Sequence, residues 1–214
     1  MENPESVNNL LLDAFLYLHI FAGFLALANG LVALIVEKGA WTHRMAGRIF
    51  FVSMIAVAIS ALIISVTKSN YFLLAIAVFS FYMNYTGYRA LKNKEVKYKW
   101  FDWTVSISAA LIAVFMILSL KMVLMVFGAF LLLLLYQNLS TQFLSEEKMK
   151  EERKKRIIVH IRNMAGAYIA TSTAFMVVNI NFVKPGWIIW LLPTALGTPI
   201  IIYYTRLWKK KLQH

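Results

Sequence analysis

No cysteine occurs in the 214 residues, which excludes disulfides, thiolate metal sites and thiol nucleophiles outright. Acidic residues are scarce as well: 10 Asp and Glu stand against 22 Lys and Arg, for a net charge of +12. Charged residues of both signs make up only 15% of the chain and apolar ones 60%, a balance no ordinary soluble domain shows. Familiar catalytic motifs are missing too. There is no phosphate-cradling Gly-rich loop, no His-Glu-x-x-His and no nucleophile elbow. The last apolar run has no central lysine for a retinal Schiff base; Lys184 precedes Pro185 at its edge. The opening Met1-Glu-Asn-Pro-Glu5 is acidic and lacks a following small-residue cleavage site, so it does not read as a removed signal peptide.

What the chain does have is hydrophobic length. Leu118–Tyr136 is broken only by Ser119 and Lys121. A helix needs about 20 apolar residues to cross a hydrocarbon core of about 30 Å. The pattern predicts an all-α, polytopic transmembrane helix bundle, a single integral membrane domain over residues 1–214. Seven spans are expected, at about 10–36, 46–67, 70–91, 103–120, 122–138, 158–180 and 187–206. The fourth and fifth require a tight turn at Ser119–Lys121. Merged, they would make one helix of about 54 Å, too long for a single crossing.

Charge orients the bundle. Segments 37–48, 89–102, 138–162 and 206–214 hold 19 of the 22 basic residues, while Lys68, Lys121 and Lys184 fall on the other side. The positive-inside rule places the rich side in the cytoplasm, with the N-terminus outside and the C-terminus cytoplasmic, in a bacterial inner (plasma) membrane. The same rule accounts for the net charge, so nucleic acid is not an expected partner; the lipid bilayer is. Residues 145–156 alternate charges at helical spacing and read as a solvated extension of the flanking spans. In the tail, Trp208 and Lys209–Lys211 read as an interfacial anchor.

Few residues can carry chemistry. His19 shares a helical face with Gly23, Ala26, Gly30 and Ala33, small residues that let another helix approach. It should therefore face protein, and an intramembrane ionisable group is a functional candidate by default. His43 and His160 open the second and sixth spans at the cytoplasmic face, each followed by arginine: Arg44 and Arg48 in one case, Arg162 in the other. If those spans are neighbours, the imidazoles are candidate metal ligands for iron, and the guanidiniums partners for an anionic group. A b-type haem uses both. A quinone uses the same pocket without iron, and so does a small-solute or lipid transporter or binding protein. The alternative for all five residues is anchorage of helix ends at the headgroups. His19 lies about 25 Å from the inner end of its span, so a three-histidine zinc site is disfavoured. Asn29, Asn84, Asn179, Tyr82, Tyr85 and Thr171–Thr173 are further buried polar candidates, and Asp102 is placed to pair with an arginine. Pro193, Gly197 and Pro199 interrupt the pattern of the last span, either as in a span that lines a transport pathway or as a tolerated kink.

The segments Leu18-His-Ile-Phe-Ala-Gly23, His43-Arg44-x-x-Gly47-Arg48, Thr86-Gly-Tyr-Arg-Ala-Leu91, His160-x-Arg-Asn-Met164 and Trp187-x-x-Trp190-x-x-Pro193 occur in that order over most of the chain. With them the chain resembles a family of bacterial predicted membrane proteins known as a domain of unknown function. The resemblance implies a multi-pass helical fold without an assigned activity, and it singles out His19, His43 and His160.

Overall fold

The computed structural model describes residues 4–92, 97–180 and 182–213. Met1–Asn3, Lys94 and His214, on which part of the charge pattern rests, lie outside them. Among the described residues the chain is all helical: α1 (Pro4–Ile35), α2 (Trp41–Thr67), α3 (Tyr71–Lys92), α4 (Trp100–Leu118), α5 (Met122–Ser140), α6 (Glu146–Lys154), α7 (Arg156–Asn179) and α8 (Trp187–Gln213), with a 3₁₀ turn at Thr141–Phe143. They gather into two compact units, Met1–Phe81 and Tyr82–His214, with the boundary inside α3.

In the first unit α1 and α2 form an antiparallel hairpin. Gly39 turns the short connection at φ +86°, in the left-handed region that favours glycine. Lys38 Nζ donates to the carbonyls of Ala33, Leu34 and Val36, satisfying groups that the end of α1 leaves open. Its partial burial lowers the lysine's pKa. Ala22 and Ala26 on α1 are buried, as are Ala46, Phe50, Met54, Ala58 and Ala61 on α2, all at spacings of three and four.

In the second unit α4 and α5 are joined by the tight turn expected at Ser119–Lys121. Leu120 takes φ 54° there, and Ser119 and Leu120 return their N–H groups to Phe115 and Ile117. Gly128 brings the two helices together: a β-carbon on it would lie 2.9 Å from Met116 Cβ and 3.0 Å from the Ala113 carbonyl. Gly23, in contrast, has nothing within 4 Å of the corresponding position, so it is not the close-approach residue its face suggested. Gly128→Leu is therefore expected to destabilise by about 1–3 kcal/mol through overpacking. Gly23→Ala should be neutral or stabilising by up to about 1 kcal/mol, since alanine is the better helix former. Chemical unfolding in mixed micelles compares the two; equal losses would contradict this packing.

Three expectations are refined. Residues 145–156 are helical and mostly exposed, as expected, but α6 is a separate helix and not an extension of the spans, set off by the 3₁₀ turn and by a break at Lys155, and its Met149 is 2% exposed. Pro193 and Pro199 lie inside an unbroken α8, whose Gly197 passes close to the Ile169 side chain of α7. Asn29 is not buried between helices: it is half-exposed and its amide donates to Leu25 O of its own helix.

Among the described residues, five stretches are long and apolar enough to cross a membrane: Asn9–Ile35, Trp41–Thr67, Trp100–Leu118, Met122–Phe143 and Trp187–Leu212. Absent from this set are α3 and α7, which by length, 22 and 24 residues, would suffice. Their polar residues lower their hydropathy, and within the second unit two of them meet across the helices. Asn163 Nδ2 donates to Thr86 Oγ1 at 2.9 Å, with Asn163 fully buried and Thr86 nearly so. Gly87 lets Met164 come close, and Gly166 likewise accepts Met83. Polarity here belongs to a helix–helix seam.

Candidate functional site

Each sequence-predicted residue has a definite place. His19 on α1 points to α2, with Nδ1 3.2 Å from Val57 O and 3.1 Å from Ser60 Oγ. His43 lies in the first unit, its Nδ1 donating to Ala33 O at 3.0 Å; Arg44 caps the neighbouring connection through Gly39 O, and Arg48 is exposed. His160 lies in the second unit, where its Nδ1 donates to Gly87 O at 2.9 Å and fastens α7 to α3. Both imidazoles thus carry their proton on Nδ1, because a carbonyl can only accept. Asn84 is fully buried. Among the described residues no group of three or more His, Cys, Asp or Glu is arranged to hold a metal.

The second unit contains two charged features. The first is a buried ion pair between Arg89, near the end of α3, and Asp102, in the first turn of α4. Asp102 is 4% exposed and its carboxylate is fully subscribed. The Tyr85 hydroxyl donates to Oδ1 at 2.5 Å and the Lys99 N–H to Oδ2 at 2.7 Å. Arg89 also donates to Lys97 O at 2.9 Å and lies over the Tyr98 ring, 4.6 Å from its centroid. Burial pushes the Tyr98 phenol above the usual tyrosine value, so it stays a neutral hydroxyl at physiological pH.

The second feature is a cleft of about 500 Å³ formed where α3, α5, α7 and α8 carry their basic ends. Among the described residues, Arg89, Lys155, Arg156, Arg162 and Lys209 line it, against one carboxylate, Glu152. Glu152 accepts from Lys155 Nζ at 2.7 Å, which raises that lysine's pKa and keeps it charged. Amides and hydroxyls complete the lining, and some are already used by the protein. Gln142 accepts the Tyr98 N–H at 2.8 Å and donates to Thr141, while Asn138 donates to the Tyr82 hydroxyl at 3.0 Å. Four lining residues carry a buried polar atom without a hydrogen-bond partner: Arg89 Nε, which is ion-paired with Asp102 instead, Gln137 Oε1 on α5, Arg162 Nε on α7 and Thr205 Oγ1 on α8. A second cleft, of about 680 Å³ at the α7–α8 turn, offers Lys184 as its one charged residue among apolar side chains such as Val177, Ile180 and Trp190.

Of the residues the sequence proposed, Arg162 lines the basic cleft, and His160 two residues earlier holds α7 against α3 beside it. His43, Arg44 and Arg48 belong to the other unit. Sequence reasoning missed Arg89, Gln137, Lys155, Arg156, Thr205 and Lys209. Arg89 had a signal, being the arginine of Thr86-Gly-Tyr-Arg-Ala-Leu91. The others stood in runs that look like solvated charge or plain apolar helix.

A family model described as Predicted membrane protein (DUF2306) matches residues 16–137, more than half of the chain. The match includes Arg89, Tyr98 and Gln137 of the cleft and ends before α6, α7 and α8. No curated protein and no solved structure matches the chain.

Proposed function

This chain belongs to the DUF2306 family of predicted membrane proteins and is integral to the membrane; from that premise we propose that it is a seven-span inner-membrane protein binding an anionic headgroup or solute in a cytoplasm-facing cleft. The observation that carries the reading is the lining itself, five cations of which Arg89 is already paired with Asp102 and Lys155 with Glu152. Clustered cations favour an anion beside them, and arginine and lysine are the usual means of holding phosphate or carboxylate. The depth agrees. Lining residues fall at 86–98, 136–162 and 205–209, the span ends on the side rich in Lys and Arg. By the positive-inside rule that side is cytoplasmic, which sets the cleft at headgroup level. Counting α3 and α7 as crossings gives the seven spans that this distribution needs.

No cofactor enters this reading. It is the lipid- or solute-binding form of the His/Arg pocket, with Arg162 on the ligand and His160 holding α7. Arg89 is kept in place by Asp102, while Lys155 and Glu152 form a replaceable pair that an incoming anion can open.

Two measurements test it. Reporter fusions after residues 121 and 150 should place the first outside and the second in the cytoplasm; the same side for both would end the seven-span topology. Native mass spectrometry of the purified chain should retain phosphatidic acid in preference to phosphatidylcholine, with retention falling as salt rises. Equal retention of both lipids would contradict an anion site.

A further inference from the structure

The second cleft, of about 680 Å³ at the turn from α7 to α8, takes no part in the chemistry above and shares no lining residue with the basic cleft. Its volume lies in the ordinary range of small-molecule sites. In the seven-span topology proposed above, that turn is at the outer face. The lining grades from apolar and covered to charged and open. Ile189 is 4% exposed, Val177, Ile180, Val183 and Trp190 are half-buried, and Lys184 is exposed. Trp190 meets Phe127 of α5 edge to face, with ring centroids 6.3 Å apart, so this apolar wall is held from behind. Lys184 lacks a counter-charge from its own part of the chain. No Asp or Glu occurs after Glu152, and among the described residues Lys184 is in no ion pair.

An apolar interior with one cation at its rim matches a molecule with an apolar chain and one anionic end. The anionic end must also be modest in its polar demand. A phosphodiester with its glycerol esters brings more oxygens than one lysine among apolar side chains can satisfy, and polar groups left without a donor are costly. A carboxylate needs less, and the lysine ammonium offers several donors on a flexible stem. We propose that this cleft holds a long-chain fatty acid, its chain against Val177, Ile180, Ile189 and Trp190 and its carboxylate on Lys184.

The probe is radiolabelled dodecanoate, bound to the full-length chain in phosphatidylcholine nanodiscs and corrected for empty discs; the measurement does not depend on which side the cleft faces. Binding should saturate. Unlabelled dodecanoate should displace the label about fivefold better than dodecanol, which has the same chain without the charge; that is the upper end for a charge pair at an exposed rim. Lys184→Gln should remove this difference while dodecanol keeps its affinity, which also shows that the variant folds, and Lys184→Arg should retain it. Lys68→Gln, which removes an exposed lysine outside the cleft, should stay within about twofold at physiological salt. Lauroyl lysophosphatidylglycerol, with the same chain and a single negative charge, should compete more weakly than dodecanoate. Equal displacement by dodecanoate and dodecanol from the unmodified chain, or equal losses in Lys184→Gln and Lys68→Gln, would overturn the proposal. A lysophospholipid that competes as well as dodecanoate would overturn it in favour of a bilayer phospholipid. Loss of binding in Arg162→Gln with Lys184→Gln unchanged would overturn it by assigning the label to the basic cleft. Absence of saturable binding would overturn it and leave the basic cleft untouched.

Discussion

Asp102→Asn is expected to destabilise the protein by about 3–5 kcal/mol, the cost of leaving one half of a buried ion pair uncompensated. Asp102 is 4% exposed, and it holds Arg89, the Tyr85 hydroxyl and the Lys99 backbone at once. The variant strands the Arg89 guanidinium, whose side chain is 15% exposed, between the Lys97 carbonyl and the Tyr98 ring. It also turns one of the two acceptor oxygens into an NH2 donor, so the Lys99 N–H in the capping box at the start of α4 and the Tyr85 hydroxyl compete for the one that is left. The double variant Asp102→Asn with Arg89→Gln should recover part of the loss, because it removes the unpaired charge. Chemical unfolding in mixed micelles gives both values. A loss under about 1 kcal/mol for the single variant would mean that the pair behaves as a solvated surface bridge.

The second large effect concerns affinity. Arg162→Gln should weaken binding of a short-chain anionic phospholipid by about 10- to 100-fold, since hydrogen bonds to charged groups contribute about 1.5–3 kcal/mol each. Arg162 Nε is buried on the cleft lining without a protein partner, so its replacement breaks no hydrogen bond at that atom. Arg206→Gln is the control. It removes the same charge from the same end of the chain, but Arg206 is exposed and does not line the cleft. Its effect should be within about twofold at physiological salt, where exposed charges are largely screened. Equal losses in the two variants would assign the affinity to net charge and not to a site.

Much of the fold is legible along the chain. Apolar length marks α1, α2, α4, α5 and α8, and the Ser119–Lys121 turn follows because one helix of about 54 Å would overshoot a bilayer. Other parts depend on tertiary placement. Part of the polarity of α3 and α7 is explained only once Thr86 is seen against Asn163 and Gly87 against His160. For α6 the cue to its docked position was small: Met149 is the lone apolar side chain in Glu146–Lys154, and it is buried while most of the helix is exposed. Of the two readings of Pro193 and Pro199, the structure has the tolerated one, with α8 packed on α7 through Gly197 and Ile169.

The candidate site was the least legible. Along the chain, Arg162 stands out by its neighbourhood to His160, and Asp102 by its position at a span end. Gln137 and Thr205 do not, since each stands among other polar residues at the end of an apolar helix and they are 68 positions apart. Only packing of α5, α7 and α8 puts them on the same cleft as Arg162. The histidine pair drew attention through its position, each ring opening a span at the cytoplasmic face with arginine after it. In the structure each of those rings holds a backbone carbonyl, Ala33 for His43 and Gly87 for His160.

The most direct measurement is to find where an anionic lipid touches the protein. A phosphatidic acid carrying a diazirine near its headgroup, irradiated with the full-length chain in bilayers and followed by peptide mapping, reports this without presupposing a site. The basic cleft predicts adducts concentrated on segments 136–142, 155–162 and 205–209, reduced by Arg162→Gln and by excess unlabelled lipid. Adducts spread evenly over the outward faces of α1, α4 and α8, and unchanged by that variant, would contradict it.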